Sequence, residues 1–374
     1  MEFVETAWKG FRNLRPRSQR WQPGLNVISG SNGSGKTNLL ESFNVLSGWG
    51  AFPTAGGRTS FLIAWAGTDE TENGHAHLLG RAAGERDVEV QAHVGARMSL
   101  RAANERVTYS ELRFLLPSLS FLPQDIELLD GPPSVRRLFL DKLCALSSPL
   151  YARRLAEYKQ LVRQRTTLLR QSRRQDCNLR NFSASLKATA LPLARLGGWV
   201  RGVRREIADL LAGMLHRKDN IYNDLCPFRV EAALELRGTA GLQDPVQDMA
   251  AALEAGLERE RQSGTVLVGP HRDDLLFSCL GRPASLALSR GQKRRLVVAA
   301  ILAAGLLIEA KLRTKPILLL DDVTAELDEE GRGLMGRALA DTGWQVFVTS
   351  VEDPFDKVSE GEKTLWQVRE GGLV

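Results

Sequence analysis

Continuous apolar runs of strand length mark the two ends of the chain, and a helical period marks its middle. LNVIS (25–29), the ILLLD that follows Lys315-Pro316, and QVFVTSV (345–351) have the pattern of strands buried on both faces. DVEVQAHVGARMSLRAA (87–103) alternates, as antiparallel strands with one solvated face do, and the stretch around Phe3, FRVEAALEL and TVLVGP read as further short strands. TNLLESFNVLS, DPVQDMAAALEAGLERE and LVVAAILAAGLL read as helices. In YARRLAEYKQLVRQRTTLLR, residues Leu155, Tyr158, Leu161, Val162, Leu168 and Leu169 recur at steps of three and four, which predicts a helix with one apolar stripe. Pro192 and the Gly197-Gly198 pair are expected to end that helical stretch, with WVRGVRREIADLLAGMLHRK starting another. The expected fold class is α/β. A head in two sequence pieces, 1–130 and 226–374, carries an inserted all-helical arm at 131–225.

At 374 residues, and roughly 150 residues per domain, two or three folding units fit. With 43% apolar and 25% charged residues the chain has a soluble, core-forming balance, which argues against a disordered or fibrous protein. The most apolar stretch is broken by Glu309 and Lys311, so no membrane span is expected. MEFVETAWKG lacks a basic region followed by an apolar run, and Cys144, Cys177, Cys226 and Cys279 form no CxxC pair. A cytoplasmic protein without disulfide framework or zinc site is expected. Charge is unevenly placed: residues 136–218 hold 19 Lys or Arg against five Asp or Glu, while the rest of the chain is net acidic. Such an excess calls for a polyanion, and the arm is expected to contact nucleic-acid phosphates through Arg153, Arg154, Arg163, Arg165, Arg170, Arg173 and Arg174. A solvated helical face is the plainer alternative.

Gly30-Ser31-Asn32-Gly33-Ser34-Gly35-Lys36-Thr37 is a full GxxxxGK[ST] loop, between a strand and an amphipathic helix. Its glycines let backbone N–H groups point at phosphate oxygens, Lys36 reaches the β- and γ-phosphates, and Thr37 offers Mg²⁺ a hydroxyl. Leu318-Leu319-Leu320-Asp321-Asp322 supplies the acidic half: Asp321 as metal ligand, Asp322 to polarise the attacking water. ATP and Mg²⁺ are the expected cofactors. Leu288-Ser289-Arg290-Gly291-Gln292 opens an apolar helix shortly before that strand, in the order seen in ABC-type ATPases. In that class the serine and the helix start contact the γ-phosphate held by the opposite protomer; a plain N-cap is the alternative. Glu326-Leu327-Asp328 matches the D-loop of the same class.

Taken with Phe11-Arg12-Asn13, LPQDIELLDGPPSVRRLFLD, GPHRDDLLF, LSRGQKRRL and ILLLDDVTAELD, which span nearly the whole chain, GLNVISGSNGSGKTNLLES makes the sequence resemble the RecF family of bacterial recombination mediators. The resemblance implies an ABC/SMC-like P-loop ATPase head with an all-helical second domain, ATP-dependent homodimerisation, and weak, DNA-dependent ATPase activity acting as a switch. It also implies binding to single-stranded, gapped or junction DNA, and work with RecR and RecO in loading recombinase. It gives Ser289, Gly291, Gln292 and Asp328 a role in trans, and Gln124, at the Q-loop position, a role with Mg²⁺ and water. Arg12 is a candidate for the adenine or phosphates, or a surface arginine on a turn. His271, Arg272, Asp273 and Asp274 are either an interprotomer or DNA-facing cluster, or a self-contained ion pair. Arg136 and Arg137 read a phosphate or cover the base of the arm. Three departures stand out: Trp49-Gly50-Ala51-Phe52-Pro53 replaces an Arg-Ser-Phe-Arg type stretch, Arg290 stands where many members carry glutamine, and Gln124 where many carry glutamate.

Two other functions share the loop. An ABC transporter subunit is disfavoured because the phosphate loop and LSxGQ motif lie far apart around a basic insert, and Thr349-Ser350 stands where transporters place a histidine. An overcoming-lysogenization-type ATPase-nuclease would need an acidic metal-binding nuclease domain after the head; with the sequence ending at Val374, this reading is disfavoured too.

Overall fold

The structure is a computed structural model that describes all residues except 53–58, 65–73, 86, 173–178, 218–221, 240, 242–243, 326 and 360. The chain begins with β1 (Glu2–Lys9), β2 (Arg17–Arg20), β3 (Leu25–Ser29), α1 (Lys36–Leu46), β4 (Ala76–Ala83), β5 (Val88–Val94), β6 (Met98–Ala102), β7 (Glu105–Val107), α2 (Tyr109–Leu115) and β8 (Ser118–Phe121). It continues through α3 (Glu127–Asp130), α4 (Pro133–Ser147), α5 (Tyr151–Gln171), α6 (Leu179–Leu215), β9 (Val230–Glu235), α7 (Pro245–Ala255), α8 (Leu257–Ser263), β10 (Asp274–Cys279), β11 (Arg282–Pro283) and α9 (Ala284–Ala287). It closes with α10 (Arg290–Leu312), β12 (Ile317–Asp321), α11 (Glu329–Asp341), β13 (Val346–Ser350), β14 (Lys363–Arg369) and β15 (Gly372–Leu373).

These elements form two compact units, 1–126 with 217–229 and 288–374, and 127–216 with 230–287. In the first, the apolar runs assemble as expected: β14, β3, β13, β12 and β8 pair in parallel, in the order β15-β14-β3-β13-β12-β8. A second sheet, β2-β1-β4-β5-β6-β7, is antiparallel throughout. Helix α1 lies against strands of both sheets. Its Phe43 stacks on Phe347 of β13 at 4.2 Å between centroids and meets Phe3 of β1 at 5.3 Å. Burying such rings adds about 0.5–1.5 kcal/mol per pair beyond area alone. That bridge anchors the helix whose first turn carries Lys36 and Thr37. Helix α10 is apolar all round and buried from Leu296 to Ile308, except at Leu306.

In the second unit, α4 and α6 lie against a small sheet ordered β11-β10-β9. Three expectations need correction. The arm expected at 131–225 is helical in α4–α6 but is not a unit of its own: residues 230–287, expected in the head, group with it, while 217–225, expected in the arm, group with the head. Pro192 and Gly197-Gly198 do not end a helix, because α6 runs unbroken through them. The glycines instead admit neighbours, since a Cβ at Gly198 would sit 2.8 Å from Val246 and one at Gly197 would run into Met249, both from α7. TVLVGP is not a strand. Its backbone is taken by side chains: Leu267 N–H donates to Glu260, and the Val266 carbonyl accepts from Arg272. DLLFSC is the strand that pairs with β9.

Candidate functional site

β3 delivers the chain to the phosphate loop from between β13 and β14. The loop is held from both sides. Gly30 N–H donates to the Val351 carbonyl at 3.2 Å, and Gly371 N–H to that of Ser34 at 2.8 Å. A Cβ at Gly30 would run into the Val368 carbonyl, and one at Gly371 (φ +76°) into that of Asn13. Asn13 donates from Nδ2 to the Gly33 carbonyl at 3.3 Å and accepts from Asn38 Nδ2 at 2.7 Å. Helix α1 starts after Gly35 with no side-chain cap, which leaves first-turn N–H groups for an anion.

A cleft of about 300 Å³ opens over this loop. Asn32, Gly33, Gly35, Lys36, Thr37, Asp321 and Asp322, all expected, line it, together with Asn38, Thr349, Val351 and Pro123. Lys36 Nζ is folded over the loop and donates to the carbonyls of Gly30 (2.7 Å) and Ser31 (2.9 Å). Its burial pulls its proton affinity down, while Asp321 and Asp322 pull the other way. The Thr37 hydroxyl donates to the Asp321 carboxylate at 2.9 Å. Two hard oxygen donors side by side suit Mg²⁺. Asp322 stands in the left-handed region at φ +47°, a conformation that non-glycine residues hold only when their surroundings impose it. Burial, then the Asp321 charge, raises its pKa, against Arg294 and Lys36.

Thr349 was seen in the sequence only as the absence of a histidine. Its hydroxyl donates to Asp321 Oδ1 at 2.5 Å and accepts the Asp322 backbone N–H at 3.0 Å, so it fixes the carboxylate of Asp321 and the main chain of Asp322. Asn13, quoted only within a motif, braces the loop. Of the other candidates, Ser34 carries a buried hydroxyl without a partner, and Gln124 sits in a short helical turn beside the lining Pro123. Arg12 does not line the cleft: it is held by Glu41 through two hydrogen bonds of 2.7 and 3.0 Å.

Ser289 and Gln292 form a reciprocal capping box at the start of α10, where Ser289, Arg290 and Gln292 are exposed and nothing crowds Gly291. Asp328 caps α11 and lies 3.9 Å from Arg295; Glu326 lies outside the described residues.

The second unit resolves the arginines into two sets. Arg163 and Arg170 are exposed on α5, as is Arg153, paired to Glu157 at 3.0 Å. Arg154 lies over the Trp199 ring at 4.4 Å. Arg165 is not a DNA contact: it is 1% exposed and donates from Nε and Nη2 to Glu260 at 3.0 and 2.8 Å, because its helical position turns it into the core. Arg173 and Arg174 lie outside the described residues.

The GPHRDD segment is a buried clamp, not a DNA-facing cluster. Asp273 holds Arg201 at 2.5 and 2.9 Å, and Asp274 holds Arg136 at 2.7 and 2.9 Å. Arg137 donates to the Asp273 carbonyl, Arg272 to that of Val266, and His271 Nδ1 meets the Tyr158 hydroxyl at 2.6 Å. Arg204 adds bonds to Asp141 and the Pro270 carbonyl. Burial depresses the His271 pKa to about 4, the Val266 carbonyl opposing and Arg272 and Arg137 assisting.

The family model described as RecF/RecN/SMC N terminal domain matches residues 4–371. The DNA replication and repair protein RecF of Moorella thermoacetica is 32% identical over 345 residues, 91% of this chain and 88% of that protein. That of Symbiobacterium thermophilum is 32% identical over 379 residues, covering 97% and 96%. Among solved structures, the recombination mediator protein RecF-ATP in the RecFOR pathway superposes with a TM-score of 0.82 at 22% identity, covering 100% of this chain and 97% of that one. An SmcHead bound to the C-winged helix domain of ScpA gives 0.57 at 17% identity, covering 100% and 96%. At those identities the structures speak for the fold, an ABC/SMC-like ATPase head, and the sequence matches speak for the lineage: this chain belongs to the RecF family.

Proposed function

We propose that this protein is an ATP-binding DNA replication and repair protein whose nucleotide-bound homodimer clamps DNA at single-strand gaps or junctions. It helps RecR and RecO load recombinase there. The observation that carries the reading is the convergence of Lys36, Thr37, Asp321, Asp322 and Thr349 on one cleft. Loop N–H groups and Lys36 hold the phosphates, and Thr37 with Asp321 holds Mg²⁺. Mg²⁺–ATP supplies an electrophilic γ-phosphoryl group with a good leaving group. Asp322 orients a water, and as a carboxylate one methylene shorter than glutamate it reaches less far toward it, which suits a slow switch over a motor. The exposed start of α10, Ser289–Gln292, is the surface a second protomer's nucleotide would meet. Arg153, Arg163 and Arg170 give α5 a basic face for phosphates.

Light scattering with and without ATP–Mg²⁺ tests this, followed by titration of a gapped duplex. A monomer that dimerises only with ATP and then holds DNA more tightly is expected. Lys36→Met abolishes ATP binding; Ser289→Arg keeps ATP binding and loses the dimer. Dimerisation of Ser289→Arg with ATP removes that residue's role in trans, and a wild type that binds ATP and stays monomeric removes the clamp.

A further inference from the structure

Three of the five histidines of the chain meet on one face of the antiparallel sheet in the first unit. His77 of β4 and His93 of β5 are direct cross-strand partners. Their flanking residues, Ala76, Leu78, Ala92 and Val94, are buried in the apolar core, so the period of two holds both rings on the outer face and a register slip would bury them. The rings lie 4.5 Å apart between centroids, and their Nδ1 atoms face each other at 3.3 Å. His75 extends the group, 5.0 Å from His93, with its ring seated over Gly95, where a Cβ would come within 2.6 Å of His75 Nδ1.

Two neutral imidazoles in this arrangement share one proton between two nitrogens. A tetrahedral transition metal about 2.0–2.1 Å from each nitrogen sets the two about 3.3–3.4 Å apart, which is the separation already present. We propose that His77 and His93 form a two-histidine binding site for a borderline divalent cation of the Zn²⁺, Ni²⁺ or Cu²⁺ class. Among the described residues no set of three or more His, Cys, Asp or Glu side chains encloses a metal, so water completes the coordination. Imidazole donors select against Mg²⁺, so the site is separate in chemistry from the nucleotide cleft. Lys9 of β1 is the cross-strand partner of His77 and brings a positive charge to the pair. The same Lys9 charge keeps the affinity moderate. Occupancy staples β4 to β5 and stabilises the folded state by mass action.

Calorimetric titration of the chelator-stripped full chain with Zn²⁺, in saturating Mg²⁺ and without nucleotide, tests the site. One Zn²⁺ per chain is expected, with affinity reduced about tenfold or more in His77→Ala and in His93→Ala, since loss of a ligand should cost at least what loss of an outer-shell partner does. Unchanged ATP binding by both variants shows that they fold, and Zn²⁺ should raise the melting temperature of the wild type alone. Equal Zn²⁺ affinity in wild type and the double variant, or no binding by the wild type, overturns the proposal.

Discussion

Replacing Arg165 by methionine separates a structural arginine from a DNA-binding one. The substitution keeps most of the aliphatic stem and removes a guanidinium that makes four hydrogen bonds: two to Glu260, one to the Leu186 carbonyl and one to Thr189. The Leu186 carbonyl retains the Thr189 hydroxyl at 2.8 Å, so little is lost there. Among the described residues, the Glu260 carboxylate, fully buried, then retains only the Leu267 N–H. Stranding one partner of a buried pair costs about 3–5 kcal/mol, whereas replacing both with apolar residues of similar volume is often near neutral. Arg165→Met should therefore lose about 3–5 kcal/mol, and Arg165→Met/Glu260→Met should recover most of it. Hydrogen exchange in peptides from α5 and α8 reads this locally, in a chain whose two units need not unfold together. At about 1.4 kcal/mol per decade, opening should become more than a hundredfold more frequent. Affinity for a gapped duplex, read by fluorescence anisotropy under native conditions, should barely change, while the exposed neighbour Arg163→Glu should weaken it. Wild-type exchange in Arg165→Met together with lost DNA affinity would refute the buried-pair account.

Gly371→Ala forces a Cβ against the Asn13 carbonyl at a left-handed backbone position, which should loosen the phosphate loop and weaken ATP binding by about tenfold or more; a fluorescent ATP analogue measures it, and wild-type affinity would mean the brace is idle. His271 has a folded pKa near 4 against 6.5 for an ordinary histidine, so the unfolded chain binds the extra proton first as pH falls. Stability should be intact above pH 6.5 and decline by about 3 kcal/mol on acidification to pH 4, as urea unfolding across that range will show; His271→Gln should flatten this part of the profile.

The nucleotide site was largely legible because its residues are local: eight consecutive positions make the loop, and two aspartates end a strand whose apolar run announces burial. What escaped depends on partners distant in sequence. Arg163 and Arg165 look alike on paper, yet two positions along a helix turn the side chain through about 200°, and the acid that receives Arg165 is Glu260. Gly197-Gly198 carries a local signal to stop, overridden because α7 needs the space. TVLVGP has a strand's composition, but its polar backbone is claimed by Glu260, His271 and Arg272. The HRDD segment left two readings open, an outward-facing cluster or a self-contained ion pair, because the arginines that decide between them are distant in sequence. Four arginines and Tyr158 bury it.

The central position of β3 also bears on how the protein is made. Both of its neighbours, β13 and β14, are synthesised about 320 residues or more after it, which at about 5–20 residues per second is a wait of roughly 15–65 s. During that interval LNVIS is an apolar strand with both edges open. The nascent phosphate loop has no Val351, Val368 or Gly371 to hold it. A chain released before β13 and β14 are made lacks the neighbours of β3 and the contacts that hold its loop, so the geometry of the sheet should tie nucleotide binding to translation beyond Gly371.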